Sequence, residues 1–520
     1  MKKTLLSLFV LASLVSTAQV HSSNFEPTLG PLSNWTLYNV DAKTPATQVA
    51  YVNNAWIQRI EEFDNSVALS TSWYTPAGAS NDWMVSPAIT LPAGTNSLYW
   101  HARSYDPTYK ESYKVYVSTT GNAVANFTTP LLTVNGEEVT WQNKSLDLSA
   151  FSGQTVYIAF QNFSNDSFLG AIDNVHVING VSPNVGRAIT TSGITRTQGT
   201  INWTAATGAT GYDYSFGAPG HTPSVSGSTT AATLNQTFSG LVANSRYQYF
   251  VRSKNGATNG GWVGPYSLFT AHGPSAASPY PYSFDNTAAG FYQNDGWSGG
   301  WSTNATVGNP QAGPQMVFSN SSTVAATPTN NYLYTRPLHL VAGESYTMSF
   351  YLRNFGAAPI APQSIALKVG AENTPAAQTT TVWSSTTFAA TTWTQFTATY
   401  VPTTTGTHYF SFHHTTPGAT AGVSLGLDTF NLTTTAVLGT DEVKNISSKQ
   451  LTVYPNPTSD ILNIKTDSKV NAVSVVDMSG RSIKVKVDGD KVDVSTLPVG
   501  TYLINVETKD GISTEKFIKK

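Results

Sequence analysis

The chain has 520 residues, a formal charge of −2, 11% charged residues and no cysteine. A chain of this length outgrows one hydrophobic core and predicts about three to five domains, and the absence of cysteine excludes thiol nucleophiles, disulfide staples and thiolate zinc sites. The lack of a basic run excludes the electrostatic footprint of a nucleic-acid binder. In place of charge the sequence carries Thr, Ser, Asn, Gly and aromatics, which suit strands and turns, so an all-β, multidomain fold is predicted.

In chain order, Lys2 and Lys3 precede an apolar run from Leu5 to Val15 and then Ser16-Thr17-Ala18. This pattern predicts an export leader over 1–18, cut between Ala18 and Gln19. The run is short for a bilayer span and no stretch of twenty apolar residues follows, so no transmembrane segment is expected in the mature chain. Gly, Pro, Ser and Asn clusters at 180–184, 273–281 and 433–447 mark joints and predict domains over 19–180, 185–272, 275–435 and 446–520.

The first and third segments read as diverged copies of one plan. Phe25-Glu26, Trp35, Asp82 to Pro87, Leu98 to Arg103, Val115 to Ser118 and Gly170 to Val175 are answered in order by Phe284-Asp285, Trp297, Tyr332 to Pro337, Tyr346 to Arg353, Leu367 to Gly370 and Gly426 to Phe430. Between them lie Ile201-Asn202-Trp203, Tyr212, Tyr214 and a Leu241 to Arg252 run. Beyond Thr440 fall twelve of the 28 Lys and Arg residues, which marks an independent last domain. Its Asp488-Gly489-Asp490 and Lys509-Asp510-Gly511 are hairpin turns, and the prolines of Tyr454-Pro455-Asn456-Pro457 confine that entry to a sheet edge.

On the Trp83 to Pro87 box, the Tyr113 to Ser118 strand and Ile172-Asp173-Asn174-Val175, the first segment resembles the choice-of-anchor J or cleaved-adhesin family of MAM-related jelly rolls. The third segment resembles it loosely and is expected to be a second jelly roll. Residues 185–272 resemble a fibronectin type III domain, with Trp203 in the core and Tyr247 as a tyrosine corner. On Val453 to Pro457, Asp477 to Arg481, Leu497 to Tyr502 and Lys516 to Lys520, the tail resembles a type A sorting domain of type IX secretion. That resemblance implies sorting residues Tyr454, Pro455, Asn456, Pro457, Gly480, Arg481, Gly500 and Tyr502. It also implies recognition by the secretion machinery and its sortase, removal of the domain, and an extracellular or surface-attached product.

Calcium is the one cofactor with candidate ligands, since jelly rolls of this kind often set an early acid beside a late Asp. Glu26 and Asp173 stand in those places in the first copy, with Asp82 as a further acid, and Asp285 and Asp428 stand there in the third. Two carboxylates do not complete calcium's six to eight ligands, and such acids also cap turns. His413 and His414 face opposite ways on a strand and do not share a metal. Trp262 and the Trp297 to Trp301 stretch offer rings for stacking on a sugar, although large aromatics more often fill β cores.

All four segments read as accessory-type β modules, no motif for a catalytic site is present, and Ser349, Asp285, His413 and His414 are too dispersed to form one. The expectation is a non-catalytic adhesion protein displaying loops from rigid sandwiches. Two alternatives remain open: a carbohydrate-binding accessory protein, which an aromatic platform on a jelly roll would favour, and a secreted hydrolase with an unrecognised site.

Overall fold

Strict alternation of buried and half-buried positions along Tyr346–Phe355 sends Tyr346, Met348, Phe350 and Leu352 into a core while the residues between them stay half-buried. That pattern, repeated through the chain, builds an all-β protein. The computed structural model describes residues 19–62, 65–187, 189–285, 295–304, 310–324, 327–355, 361–418, 423–434, 451–466, 469–477, 482–508 and 511–520. Among them the helical turns are three-residue 3-10 segments such as Leu32–Asn34 and Pro375–Ala377. The expected leader through Ala18 lies outside the described residues, and Gln19 opens the first strand. The chain divides into two compact units, one through Thr435 and one from Ala436.

In the first unit, residues from Gln19 to Asn179 form two antiparallel sheets face to face. One runs in the order Gln142–Asp147, Asn96–Ser104, Gly170–Asn179, Asn65–Ser70, Ile57–Glu62, with Gln19–Ser23 also pairing Gly170–Asn179. The other runs Thr36–Asn39, Asp82–Val85, Thr155–Asn162, Tyr113–Ser118, Leu132–Val134, with Ile89–Thr90 on Thr155–Asn162. Between them pack Trp35, Trp56, Trp100, Met84, Ile158 and Phe160.

Residues from Tyr280 to Thr434 repeat this topology strand for strand. One sheet runs Ser302–Asn304, Met316–Asn320, Ser424–Thr434, Tyr346–Phe355, Thr394–Tyr400, with Tyr280–Tyr282 on Ser424–Thr434. The other runs Ser298–Gly299, Asn331–Tyr334, Gly406–His414, Gln363–Gly370, Thr380–Phe388, with Leu338–Leu340 on Gly406–His414. Matching left-handed residues recur at Phe25 and Phe284 and at Asn174 and Thr429. Trp297 is fully buried and donates to the Tyr280 hydroxyl at 2.6 Å, as Trp35 donates to Ser23 Oγ at 3.0 Å. Core packing, not sugar stacking, is therefore the role of Trp297, and Trp301 is buried beside it.

One detail of the repeat is corrected by register. Ser86 donates its amide to Ile158 O and Thr335 donates to Phe410 O, which aligns Trp83 with Tyr332 and Ser86 with Thr335, one residue off the alignment that the prolines suggest. A one-residue slip exchanges the two faces of a strand. Trp83 and Tyr332 therefore both face away from the core.

Between the copies, a three-stranded sheet (Thr190–Ser192, Gln198–Asn202, Asn235–Ser239) faces a five-stranded one (Gly227–Thr230, Gly211–Gly217, Arg246–Asn255, Thr258–Asn259, Val263–Phe269). Trp203 is in its core, and the Tyr247 hydroxyl accepts the Val242 amide at 2.9 Å, closing the tyrosine corner. The Gly- and Pro-rich joint after Gly180 is bonded on both sides: His101 Nε2 meets Val185 O at 3.0 Å, Ser182 Oγ meets Ser253 Oγ at 2.9 Å, and Asn24 donates to Trp262 O and Gly264 O. Trp262 itself lies under Arg252, 4.6 Å from guanidinium carbon to ring centre.

In the second unit, Thr452–Tyr454, Ile461–Lys465, Lys491–Asp493 and Lys486–Asp488 form one sheet, and Ser482–Ile483, Val470–Asp477, Gly500–Thr508 and Gly511–Lys519 form the other. Val487 pairs Val492 across the Gly489 turn, and Leu462, Ile504, Val506 and Phe517 fill the core.

Candidate functional site

The two copies place their predicted acids alike and satisfy them differently. Glu26 Oε1 accepts the Ser66 amide at 2.6 Å, and burial, with repulsion from Asp173, pushes its carboxyl up to about 9. Asp173 is fully buried, accepts the Asn174 amide at 2.6 Å and pairs with Arg187 Nη1. Burial lifts Asp173 to about 7 against the pull of that guanidinium. The second arm of Arg187 holds Glu61 Oε2 at 3.2 Å, and its face lies 3.9 Å from the Trp141 ring. The first pair does not fit a calcium shell as the chain stands: a protein cation from the joint already neutralises Asp173, and burial favours the neutral form of Glu26. The further acid Asp82 accepts from Tyr74 OH at 2.6 Å and Ser80 Oγ at 3.1 Å, both on Oδ2, while its Oδ1 is buried without a hydrogen-bond partner among the described residues and burial raises the carboxyl to about 6.

In the third segment Asp428 Oδ2 accepts the Gln311 and Ala312 amides at 2.7 and 3.1 Å, and its Oδ1 accepts the Thr429 amide at 2.7 Å. Asp285 Oδ1 accepts the Gln315 amide at 3.0 Å, and its carboxyl lies so close to Gly313 that a β-carbon there would collide with it. The two acids thus grip one loop, 311–315. Burial raises Asp428 to about 6, opposed by the three amides, and the Asp285 charge pushes the same way as burial. Among the described residues neither acid has a Lys or Arg ion-pair partner, and no group of three or more His, Asp or Glu side chains assembles as a metal cage. Two carboxylates without a cation fit part of an oxygen-ligand shell, with backbone carbonyls or water needed for the rest.

The aromatic platform lies where the sequence did not point to it. On the outward face of the third segment, Tyr332 stacks on His413 with ring centres 3.7 Å apart and planes 12° apart. Tyr334 continues the row, 5.5 Å from Tyr332 and within 3° of parallel. Tyr332 and His413 are directly paired across strands, which puts both rings on one face. His413 Nε2 meets Asn330 Oδ1 at 2.8 Å, and burial, then Lys368, lowers its ring to about 4, so it is neutral. The Tyr334 hydroxyl is buried without a hydrogen-bond partner among the described residues. His414 faces the other way and is buried against Ser319, Gln363 and Thr416, so the adjacent histidines part as expected.

The corresponding face of the first copy is closed. Trp83 is 4% exposed, packed 5.0 Å from Tyr116 and 5.9 Å from Phe127, which comes from the 119–131 loop. In the third copy the loop after Gly370 covers only the far part of the face, where Gln378 bonds Ser411 Oγ and Tyr409 O, and Tyr332 and His413 stay half-exposed. Two-residue alternation places Tyr332 and Tyr334 on one face of their strand, a signal the sequence carried.

Of the sorting residues, Tyr454 is 48% exposed, Asn456 bonds the terminal strand, and Tyr502 is buried with its hydroxyl donating to Pro498 O at 2.8 Å. Pro455 and Pro457 follow the edge strand Thr452–Tyr454, as the prolines require, Gly500 opens the inner strand Gly500–Thr508, and Gly480 and Arg481 lie outside the described residues.

Residues 30–177 match the Cleaved Adhesin Domain, residues 280–419 a Carbohydrate binding domain, and residues 452–520 the Secretion system C-terminal sorting domain. Hemagglutinin A of Porphyromonas gingivalis is 30% identical over 159 residues, 25% of this chain and 7% of the relative. Gingipain R1 of the same species is 34% identical over 113 residues, 19% of this chain and 6% of the relative. The matched segments are thus a small fraction of those much longer proteins. Among solved structures, the K3 cleaved adhesin domain of Lys-gingipain from Porphyromonas gingivalis aligns at 24% identity over 31% of this chain and 99% of that domain, with a TM-score of 0.25. A CBM22-1 xylan-binding domain from Paenibacillus barcinonensis aligns at 17% identity over 32% of this chain and 99% of its own length, with a TM-score of 0.23. With an adhesin domain, a carbohydrate-binding domain and a secretion-sorting tail on one polypeptide, this chain is a secreted, surface-directed binding protein.

Proposed function

We propose that the chain is a non-catalytic surface adhesin whose third domain binds a glycan on the face of Tyr332, Tyr334 and His413. The carrying observation is the stacked, half-exposed pair Tyr332 and His413, the latter a neutral imidazole with Lys368 beside it, backed by the buried Tyr334 ring whose hydroxyl lacks a partner among the described residues. Flat rings bury the apolar face of a sugar, and buried polar groups fix its hydroxyls. The match of residues 280–419 to a carbohydrate binding domain supports the same reading. A glycan-array screen of the purified chain tests it: saturable binding lost in Tyr332→Ala and His413→Ala is expected, and binding unchanged in both would sink the assignment.

The first domain is assigned to protein or cell-surface contact, because its own loop fills the equivalent face. The likeness of this segment to part of Hemagglutinin A supports an adhesive role. The reading as a non-enzyme draws support from the four Ser–His pairs among the described residues, Ser22–His176, Ser23–His21, Ser215–His221 and Ser319–His414: none has a carboxylate on the second ring nitrogen, the arrangement of a Ser-His-Asp triad. Calcium is proposed at Asp285 and Asp428 and withdrawn from Glu26 and Asp173. Removal of the leader after Ala18, and of the tail by a sortase, complete the proposed route.

A further inference from the structure

The last strand of the chain, Gly511–Lys519, pairs along one side with Gly500–Thr508. Its other side would present unpaired amides and carbonyls, the usual liability of an edge strand. At its end this side is occupied by the Tyr454-Pro455-Asn456-Pro457 segment. Two prolines leave that segment without amides at 455 and 457, so it cannot run a normal ladder. Instead the Asn456 side chain stands in for a peptide unit: its Oδ1 accepts the Ile518 amide at 2.9 Å and its Nδ2 donates to Lys516 O at 2.9 Å. Thr458 completes the set, donating its amide to Ile518 O and accepting from the Lys520 amide, both at 2.9 Å. The neighbouring Tyr454 ring remains 48% exposed and takes no part.

We infer that Asn456 is a positioning residue for sorting: it holds residues Lys516–Lys520 in register, so that the proline motif and the chain end are one recognition unit in which the ordered end is what the secretion machinery reads. This rests on the sorting role of the tail. The motif then matters through the strand it clamps and not as a linear epitope.

The test uses the full chain, with hydrogen exchange on the purified protein and export measured in a bacterium that secretes it. Asn456→Ala is expected to speed exchange at the Ile518 amide by about 2- to 10-fold while leaving the Ile504 amide of the central strand unchanged, and to reduce export. Asn456→Asp keeps the acceptor for Ile518 and loses the donor to Lys516, so an intermediate result is expected. Asn463→Ala serves as the control, because Asn463 Nδ2 donates to Tyr454 O at 3.0 Å and does not touch the last strand. Normal export of Asn456→Ala with Ile518 deprotected would overturn the inference, as would loss of export in Asn463→Ala with Ile518 still protected. If deleting the whole tail leaves export unchanged, the sorting role itself fails, which is a separate result from failure of the clamp.

Discussion

Arg187 reaches back fourteen positions to pair with Asp173 on the closing strand of the first sandwich, and its other arm holds Glu61 at 3.2 Å. Both partners of the Asp173 pair are almost wholly buried, with side chains 3% and 0% exposed. The joint between the first and second domains is thereby tied down by the charge that would otherwise call for a metal.

Removing one member of a buried pair strands the other. Arg187→Ala is expected to destabilise the first sandwich by about 3–5 kcal/mol, read by urea unfolding at pH 8. Without the guanidinium the folded-state Asp173 binds its proton more tightly, so the deficit should shrink as the pH falls toward 5. Calcium should not restore wild-type stability below millimolar concentrations if the site is built for Arg187.

Asp428 gives a pH-dependent prediction of opposite origin. Its folded pKa is raised to about 6 from 3.8, so between those values the folded state holds a proton that the unfolded state has released. Stability from this group is present at low pH and is lost as the pH rises through that window. Asp428→Asn stops the titration but leaves one acceptor oxygen for the Gln311, Ala312 and Thr429 amides, so in chelator it should melt below the native chain near pH 4, with the gap narrowing as the pH rises to 7. Added calcium should raise the melting temperature of the native chain at pH 7 and leave that of Asp428→Asn unchanged if Asp285 and Asp428 hold the ion.

The platform prediction is graded by ring. Tyr332 sits between the other two rings, so Tyr332→Ala should weaken glycan binding more than His413→Ala, with each ring contributing about 0.5–1.5 kcal/mol, a factor of about 2 to 12. Isothermal titration with the best array hit measures both. His413 stays neutral down to about pH 4, so binding should be flat between pH 8 and pH 5.

Two tyrosine hydroxyls test how exposure scales a hydrogen bond. Tyr247 accepts an exposed amide at Val242, and Tyr212 accepts a buried one at Ala206, both at 2.9 Å. Water replaces the first partner when the hydroxyl is removed and cannot easily replace the second. Tyr247→Phe should cost about 0.5 kcal/mol and Tyr212→Phe about 1–3 kcal/mol in denaturant midpoints.

Much of this protein is written in short-range pattern. The all-β class and the parting of His413 and His414 follow from two-residue alternation and turn chemistry, which act between near neighbours in sequence, while the duplicated plan is carried by motifs recurring in order and the Tyr247 corner by the resemblance to a fibronectin type III domain. The sorting motif is likewise local, because its prolines restrict the chain wherever it folds. Tertiary structure alone decided the rest. Whether Asp173 meets a metal or Arg187 depends on where the joint folds back. Whether an outward aromatic is open, like Tyr332, or sealed, like Trp83, depends on the path of a distant loop, and one residue of register decided which aromatic faced outward at all. Asn456 acquires its partner only because the chain end returns to the edge where the motif begins. Each of these turns on side chains meeting across long sequence separations, for which local periodicity carries no signal.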